Sequence, residues 1–225
     1  MNPETKIVIG VDESGVGSLA GSLIVCAAAF LKDDPPVAVT YKMKRGTKVS
    51  VARDSKTVAK PEEREALDQV IRRCAHAVAV IEFSSAEIDQ ELISRLLPKA
   101  IKLAIARCIE QIVVRGQYTR PEEFLAFIDG ETEIPQGLPC QIEAIPDGDK
   151  LIWQIGAASI VAKVACDAAI MLVHAQHPQY NFAQNKGYAT LEHRTLLKKY
   201  GLCSAHRKTF RPVYQTMGLV EGMEF

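Results

Sequence analysis

No Cys-x-x-Cys pair occurs among the six cysteines, Cys26, Cys74, Cys108, Cys140, Cys166 and Cys203, which argues against a zinc site. The thiols sit mostly among apolar neighbours, where a free thiol acts as a small hydrophobe. No disulfide framework is expected. Met1–Lys6 is polar and leads into no apolar stretch with a cleavage site, so a cytoplasmic location is expected. Net charge is also missing, with 27 Lys+Arg against 27 Asp+Glu. That excludes a uniformly basic, phosphate-binding surface. No internal repeat or low-complexity segment is visible. One stretch, Ile155–Val173, has the Ala, Ile and Val content of a membrane span, but Lys163 and Asp167 fall in its middle. Each would cost roughly 2.5–3.5 kcal/mol at a bilayer centre. A helix buried against a sheet is expected there, and no membrane partner.

What is present is an ordinary globular balance: 225 residues, 48% hydrophobic and 24% charged. Such a chain suits one domain with a modest appendage, buries a large core without staples, and is expected to be monomeric. Its charge is segregated along the chain. Glu122–Asp149 holds eight acids and no Lys or Arg, whereas Lys186–Arg211 holds seven basic residues and one acid, Glu192. A second basic cluster is Lys42–Lys48. The organisation expected is a catalytic core over residues 1–177 and a basic C-terminal helical region over 178–225.

Periodicity places the elements. Ile7–Val11, Ser22–Leu31, Ala77–Phe83, Phe124–Ile128 and Gln141–Ile145 read as strands, bounded by turn residues. Val37–Val51 reads as a strand and a loop. Helices are expected from Pro61 to about His76, over Leu96–Val114, Leu151–His174 and Thr190–Tyr200, the last stopped by Gly201. Ser84–Glu87 has the capping-box pattern. Strands alternating with helices make the class α/β with a mixed central sheet.

Three of these strands run into acids: Asp12-Glu13, Asp129 and Asp149. Sites in open α/β sheets form outside strand ends. If the strands are neighbours, four carboxylates converge, and they cannot all stay ionised without cations. Oxygen-only donors suit Mg²⁺ or Mn²⁺, and two such ions make a clamp for in-line displacement at phosphorus. Taken singly, an Asp after a strand is more often a turn former or a helix cap. Spacing alone therefore leaves both readings open.

The motifs add to this. Gly10-Val11-Asp12-Glu13-Ser14-Gly15-Val16-Gly17-Ser18-Leu19-Ala20-Gly21 resembles the opening motif of the type 2 ribonucleases H, the ribonuclease HII family. Asp54-Ser55-Lys56, Ile128-Asp129-Gly130, and Gly148-Asp149 followed by Gly156–Val164 resemble its next motifs. Asn185-Lys186-Gly187-Tyr188-Ala189-Thr190, Glu192-His193 and His206-Arg207-Lys208-Thr209-Phe210 resemble its last two. The matches run in family order over residues 10 to about 213. The resemblance implies an RNase H-like fold, a mixed sheet flanked by helices with a C-terminal helical region. It implies endonucleolytic cleavage of RNA paired to DNA, in hybrids or as ribonucleotides embedded in duplex DNA, leaving 5′-phosphate and 3′-hydroxyl ends. The metal-binding and catalytic carboxylates fall on Asp12, Glu13, Asp129 and Asp149. Gly15, Val16 and Gly17 would let backbone groups approach a 2′-hydroxyl, and Tyr188 would pack on the sugar beside the cut, although a buried core tyrosine is the plainer reading. Lys56, Ser159, Lys163, Lys186 and Arg207 are candidate nucleic-acid contacts. Lys163 and Asp167, four apart on one helix, are equally spaced to pair with each other.

The chain departs from the family pattern. Val16 stands where an arginine is usual, Cys166 likewise, Asn185 where histidine is common, and Leu151 where lysine is frequent. Fewer cations predict low substrate affinity or a steep salt penalty. Nuclease rates at rising ionic strength check this, and activity unchanged to several hundred millimolar salt would contradict it. Two alternatives stand beside the main reading. One is ribonuclease HIII-like activity on longer RNA runs, disfavoured by the six residues ahead of the first strand. The other is a non-catalytic hybrid-binding protein. Met217–Phe225 is expected as a frayed end, or as a sliding-clamp tail.

Overall fold

The computed structural model describes residues 4–43, 46–52, 58, 60–116, 118–131 and 133–216, with the side chains of 41–50 outside the description. Asp54-Ser55-Lys56, and with it the Lys56 contact, lies outside the described residues, as does the tail Met217–Phe225. In chain order the elements are β1 (Ile7–Ser14), β2 (Leu23–Leu31), β3 (Ala38–Met43), β4 (Gly46–Val51), α1 (Pro61–Cys74), β5 (Ala77–Phe83), α2 (Ser85–Glu91) and α3 (Ile93–Val113). Then follow β6 (Phe124–Asp129), β7 (Gln141–Ile145), α4 (Gly148–Leu151), α5 (Trp153–Gln176), α6 (Phe182–Asn185), α7 (Leu191–Tyr200) and α8 (Arg211–Thr216). The described residues form two compact units, one of 1–14, 24–81 and 98–164, the other of 15–23, 82–97 and 165–225.

The first unit is built on a five-stranded sheet of order β5-β2-β1-β6-β7. β1 runs antiparallel to β2 and parallel to β6, and β6 runs parallel to β7. The sheet is therefore mixed, as expected. β1 and β2 read as nearly continuous apolar runs because both faces are covered, and every residue from Ile7 to Asp12 is buried. Val8, Leu125, Phe127 and Ile155 form one core cluster, joined by Ile145 and Ile152. Full burial of such a side chain contributes roughly 1.5–3 kcal/mol. Gly10 sets the fit of β1 to α5. A methyl group at Gly10 would sit 2.0 Å from the carbonyl carbon of Gln154, so only a residue without Cβ allows this approach.

Helix ends follow local chemistry. α1 opens on Pro61 with Glu62 and Glu63 in its first turn and closes with Arg72 and Arg73, a charge order that suits the helix dipole. The α5 run is apolar and long enough to cross a membrane by length and composition. Its Ile155, Ala157, Ala158, Ile160, Val161 and Ala162 are fully buried in the protein, which accounts for that composition. Several boundaries differ from expectation: β1 runs on past Val11 to Ser14, so that it contains Asp12 and Glu13, and α3 opens at Ile93. Val37–Val51 folds as the antiparallel hairpin β3-β4, and the helix expected from Leu151 is split into α4 and α5 by Ile152, which adopts an extended backbone.

In the second unit Ser84 caps α2. Its amide donates to Glu87 Oε2 at 2.8 Å, and the Glu87 amide donates to Ser84 Oγ at 3.3 Å, completing the expected capping box. Thr190 caps α7 and Gly201, at φ 74°, ends it. Ala20, Ile170, Tyr180 and Phe182 form one apolar cluster, and Leu19, Leu197 and Val213 another. The segment 15–23 is thereby bound into the same body as the C-terminal third.

Candidate active site

The parallel register pairs Val11 with Ile128 and Asp129 with Ile145. Asp12 and Asp129 therefore leave neighbouring strands at the same level. Asp149 follows four residues after β7. It stands in the first turn of the short α4, not directly at the strand end, and its amide donates to Asp129 Oδ1 at 3.3 Å. Gly148 makes this approach possible, because a methyl group there would lie 2.6 Å from Ile155 Cδ1 and 3.3 Å from Asp129 Oδ1. Carboxylate oxygens of Asp12, Asp129 and Asp149 all lie within 4.8 Å of one another. Asp12 and Asp149 are 6% and 4% exposed.

Burial first, then the charges of Glu13 and Asp129, push the Asp12 carboxyl up to about 8, against a hydrogen bond from the Ser159 side chain that pulls it down. Acids held together against their own repulsion are what a divalent cation reverses. Oxygen ligands at about 2.1 Å from a small cation stand at most about 4.2 Å apart, so slight side-chain rotation closes this trio on an ion. The donor set thus fits Mg²⁺ or Mn²⁺. Glu13 does not join the trio. It is half-buried next to Asp12 in β1. It acts on Asp12 through its charge.

The other expected contacts divide. Gly15 is buried at φ 89°, and a methyl group there would meet the Ser22 carbonyl at 2.6 Å, whereas Gly17 is exposed with open space around it. Val16 between them is half-buried. The Leu19 amide donates to the Gly187 carbonyl at 2.8 Å, which seats the loop beside the Asn185–Tyr188 turn. Tyr188 is 39% exposed, so the buried-core reading of this side chain does not hold. Lys186 is half-buried, with Nζ 3.6 Å from Met171 Sδ. Lys163 is half-buried on α5.

Two expectations need correction. Ser159, read as a nucleic-acid contact, is buried at 4% and hydrogen-bonds Asp12, so it orients a carboxylate. Arg207, read as a phosphate contact, is fully buried. Its Nε donates to the Gly21 carbonyl and its Nη1 to the Val16 carbonyl, each at 3.0 Å. It braces the glycine loop from inside. Burial lowers its pKa to about 10, so it stays charged at neutral pH. Replacing it by Met strands two carbonyls, each worth about 1–3 kcal/mol when unsatisfied. Arg207→Met is expected to lower Tm by about 5–10 °C, and an unchanged melting curve would refute the brace. Sequence reasoning gave no role to His193 and His206, two buried rings 3.1 Å apart. Both lie inside quoted motifs, but nothing in their spacing signals the contact.

The family profile described as Ribonuclease HII matches residues 9–217. The chain belongs to the ribonuclease HII family. It is accordingly an endoribonuclease of the ribonuclease H class. The Ribonuclease HII of Xanthomonas campestris pv. campestris is 38% identical over 217 residues, covering 96% of this chain and 80% of that protein. That of Bordetella pertussis is 40% identical over 211 residues, covering 94% and 92%. Among solved structures, ribonuclease H2 from Pyrococcus horikoshii OT3 superposes with a TM-score of 0.72 at 19% identity, covering 95% of this chain and 98% of that one. Bst-RNase HIII in complex with Mn²⁺ does so at 0.59 and 16% identity, covering 96% and 70%. These similarities establish the RNase H-like fold expected from the motifs.

Proposed function

We propose that this ribonuclease HII family member hydrolyses RNA paired to DNA, both in hybrids and at ribonucleotides embedded in duplex DNA, leaving 5′-phosphate and 3′-hydroxyl ends. Asp12, Glu13, Asp129 and Asp149 are its metal ligands, for two Mg²⁺ or Mn²⁺ ions in the reactive complex. The observation that carries this reading is the meeting of Asp12, Asp129 and Asp149 oxygens within 4.8 Å. The Mn²⁺ bound by the type 3 neighbour supports the choice of metal.

When bound, such ions supply Lewis-acid activation of water and neutralise charge growing on the phosphate and the leaving oxygen. The chain's own residues do the rest. Ser159 holds the Asp12 carboxylate in direction, and the Asp149 amide does the same for Asp129. Gly15, Val16 and Gly17, braced by Arg207, offer backbone groups to a 2′-hydroxyl, which is both donor and acceptor. The exposed ring of Tyr188 packs on the neighbouring sugar, and Lys163 and Lys186 approach phosphates. A cytoplasmic site of action fits this substrate.

Incubation with Mg²⁺ or Mn²⁺ and labelled duplexes tests the reading. One duplex carries a single ribonucleotide, one carries four or more, and one is all DNA. Incision of both ribonucleotide substrates and not of the third is expected. Cutting only the long run would transfer the chain to a type 3 specificity, a reading that Val16 in place of arginine favours. Cutting of all-DNA duplex, or of nothing, would contradict the proposal.

A further inference from the structure

The buried imidazoles of His193 and His206, 0% and 1% exposed, have no part in the chemistry above, yet their contacts fix where their protons lie. The Cys203 amide donates to His206 Nδ1 at 3.0 Å. That nitrogen is therefore an acceptor, and the ring proton of a neutral His206 sits on Nε2. His206 Nε2 is 3.1 Å from His193 Nε2, so His206 donates and His193 accepts. The His193 proton is then on Nδ1, 2.8 Å from the Tyr188 carbonyl oxygen. A backbone amide at one end is connected through two neutral rings to a backbone carbonyl at the other. Protonating His193 would set two N–H groups against each other at the central contact, and protonating His206 would set its Nδ1–H against the Cys203 amide.

The surroundings keep both rings neutral. Burial lowers the pKa of His193. It lowers that of His206 to about 4, with the charges of His193 and His177 as further depressing causes. Phe182 packs edge-on against His193 and Tyr180 against His206, at 5.3 and 4.8 Å between ring centres. Glu192, the charged group next in the chain, accepts from Asn181 at 2.8 Å. The Tyr188 carbonyl also accepts from the Thr190 amide at 2.8 Å, and Thr190 Oγ1 accepts from the His193 amide at 3.1 Å. The relay thus ends on the peptide that carries the exposed Tyr188 ring.

We propose that His193 and His206 are positioning residues for Tyr188, a neutral two-histidine relay that locks the turn presenting this ring to the substrate sugar. The role rests on the reading of Tyr188 as a sugar contact given under Proposed function.

Two measurements test it. Nitrogen-15 NMR of the imidazoles in the wild-type protein at pH 7.5 is expected to find His206 protonated at Nε2 and His193 at Nδ1, the less common tautomer. A charged ring, or His193 protonated at Nε2, overturns the relay. The second is kcat/KM on the single-ribonucleotide duplex. His193→Leu is expected to lower it about tenfold, the worth of one hydrogen bond. His193→Asn keeps an N–H near the Nδ1 position and is expected to lose under about threefold. In a Tyr188→Ala background the Leu substitution is expected to cost less than about twofold, because the ring that the relay positions is already gone while the carbonyl it holds remains. An undiminished tenfold loss in that background assigns His193 a purely structural part and overturns the proposal. If the Leu variant does not fold, His206→Gln, which keeps a donor toward His193, and the tautomer measurement decide. A wild-type protein that leaves the duplex uncut sinks the nuclease reading and the positioning role together, while the tautomers still report separately on the relay.

Discussion

Asp12→Asn is expected to reduce kcat at least about a thousandfold while leaving the fold at least as stable as before. Asparagine has the same shape, so packing around β1 survives. What is lost is one anionic oxygen donor at the point where three carboxylates meet within 4.8 Å. A thousandfold loss corresponds to about 4 kcal/mol of barrier, a reasonable share of what metal-ion catalysis supplies. The stability half follows from the same electrostatics. Burial and the charges of Glu13 and Asp129 disfavour the ionised Asp12, so a neutral side chain there relieves repulsion. In chelator the variant should melt at or above the wild-type Tm. Added Mn²⁺ should raise the wild-type Tm, because a ligand bound only to the folded state stabilises it by mass action, and should raise that of the variant far less. An active variant, or one with an unaltered Mn²⁺ shift, would remove Asp12 from the site.

Gly10→Ala should prevent folding or cost more than about 4 kcal/mol, far beyond an ordinary surface substitution. The new methyl group would lie 2.0 Å from the Gln154 carbonyl carbon, 2.1 Å from its oxygen and 2.3 Å from the Ile155 amide nitrogen. All three are backbone atoms, so no rotamer change relieves the clash, and close-packed interiors transmit such strain. The start of α5 would have to lift from β1, carrying away the helix that holds Ser159. Gly17→Ala is the control. Nothing lies within 4 Å of a methyl group there, and its Tm should stay within the equivalent of about 0.5 kcal/mol. A soluble Gly10→Ala protein with an unchanged denaturation midpoint would contradict the described packing of β1 on α5.

How much of this was legible in the sequence depends on the range of the interaction. The β7 and β5 bounds, the Ser84–Glu87 capping box and the Thr190 and Gly201 ends of α7 were readable, because each depends on residues within a turn or two. Asp12 and Asp129 were readable as acids where buried apolar strand runs end, although β1 continues through Asp12 to Ser14. That Asp149 stands within α4 was not, since Ile152 interrupts a run that reads as one helix. Glu13 lies outside the trio of oxygens within 4.8 Å, and its place as a fourth ligand is carried by the family resemblance and not by spacing. Arg207 was misread because an arginine in a basic stretch resembles a surface cation. Its acceptors, Val16 and Gly21, lie more than 180 residues away, as Val16 to Arg207 spans |i−j| = 191. The family resemblance gave the right fold and class over nearly the whole chain, while the partners of His193 and His206 emerged only from three-dimensional contacts.

The proposed chemistry depends on acids from distant parts of the chain sharing divalent ions. Anomalous X-ray scattering from crystals soaked in Mn²⁺ tests it most directly. Manganese peaks are expected within bonding distance of Asp12, Asp129 and Asp149 oxygens, and are expected to be lost in crystals of Asp12→Asn. Well-ordered crystals in saturating Mn²⁺ with no peak among these carboxylates, or with the peak unchanged in the variant, would contradict it.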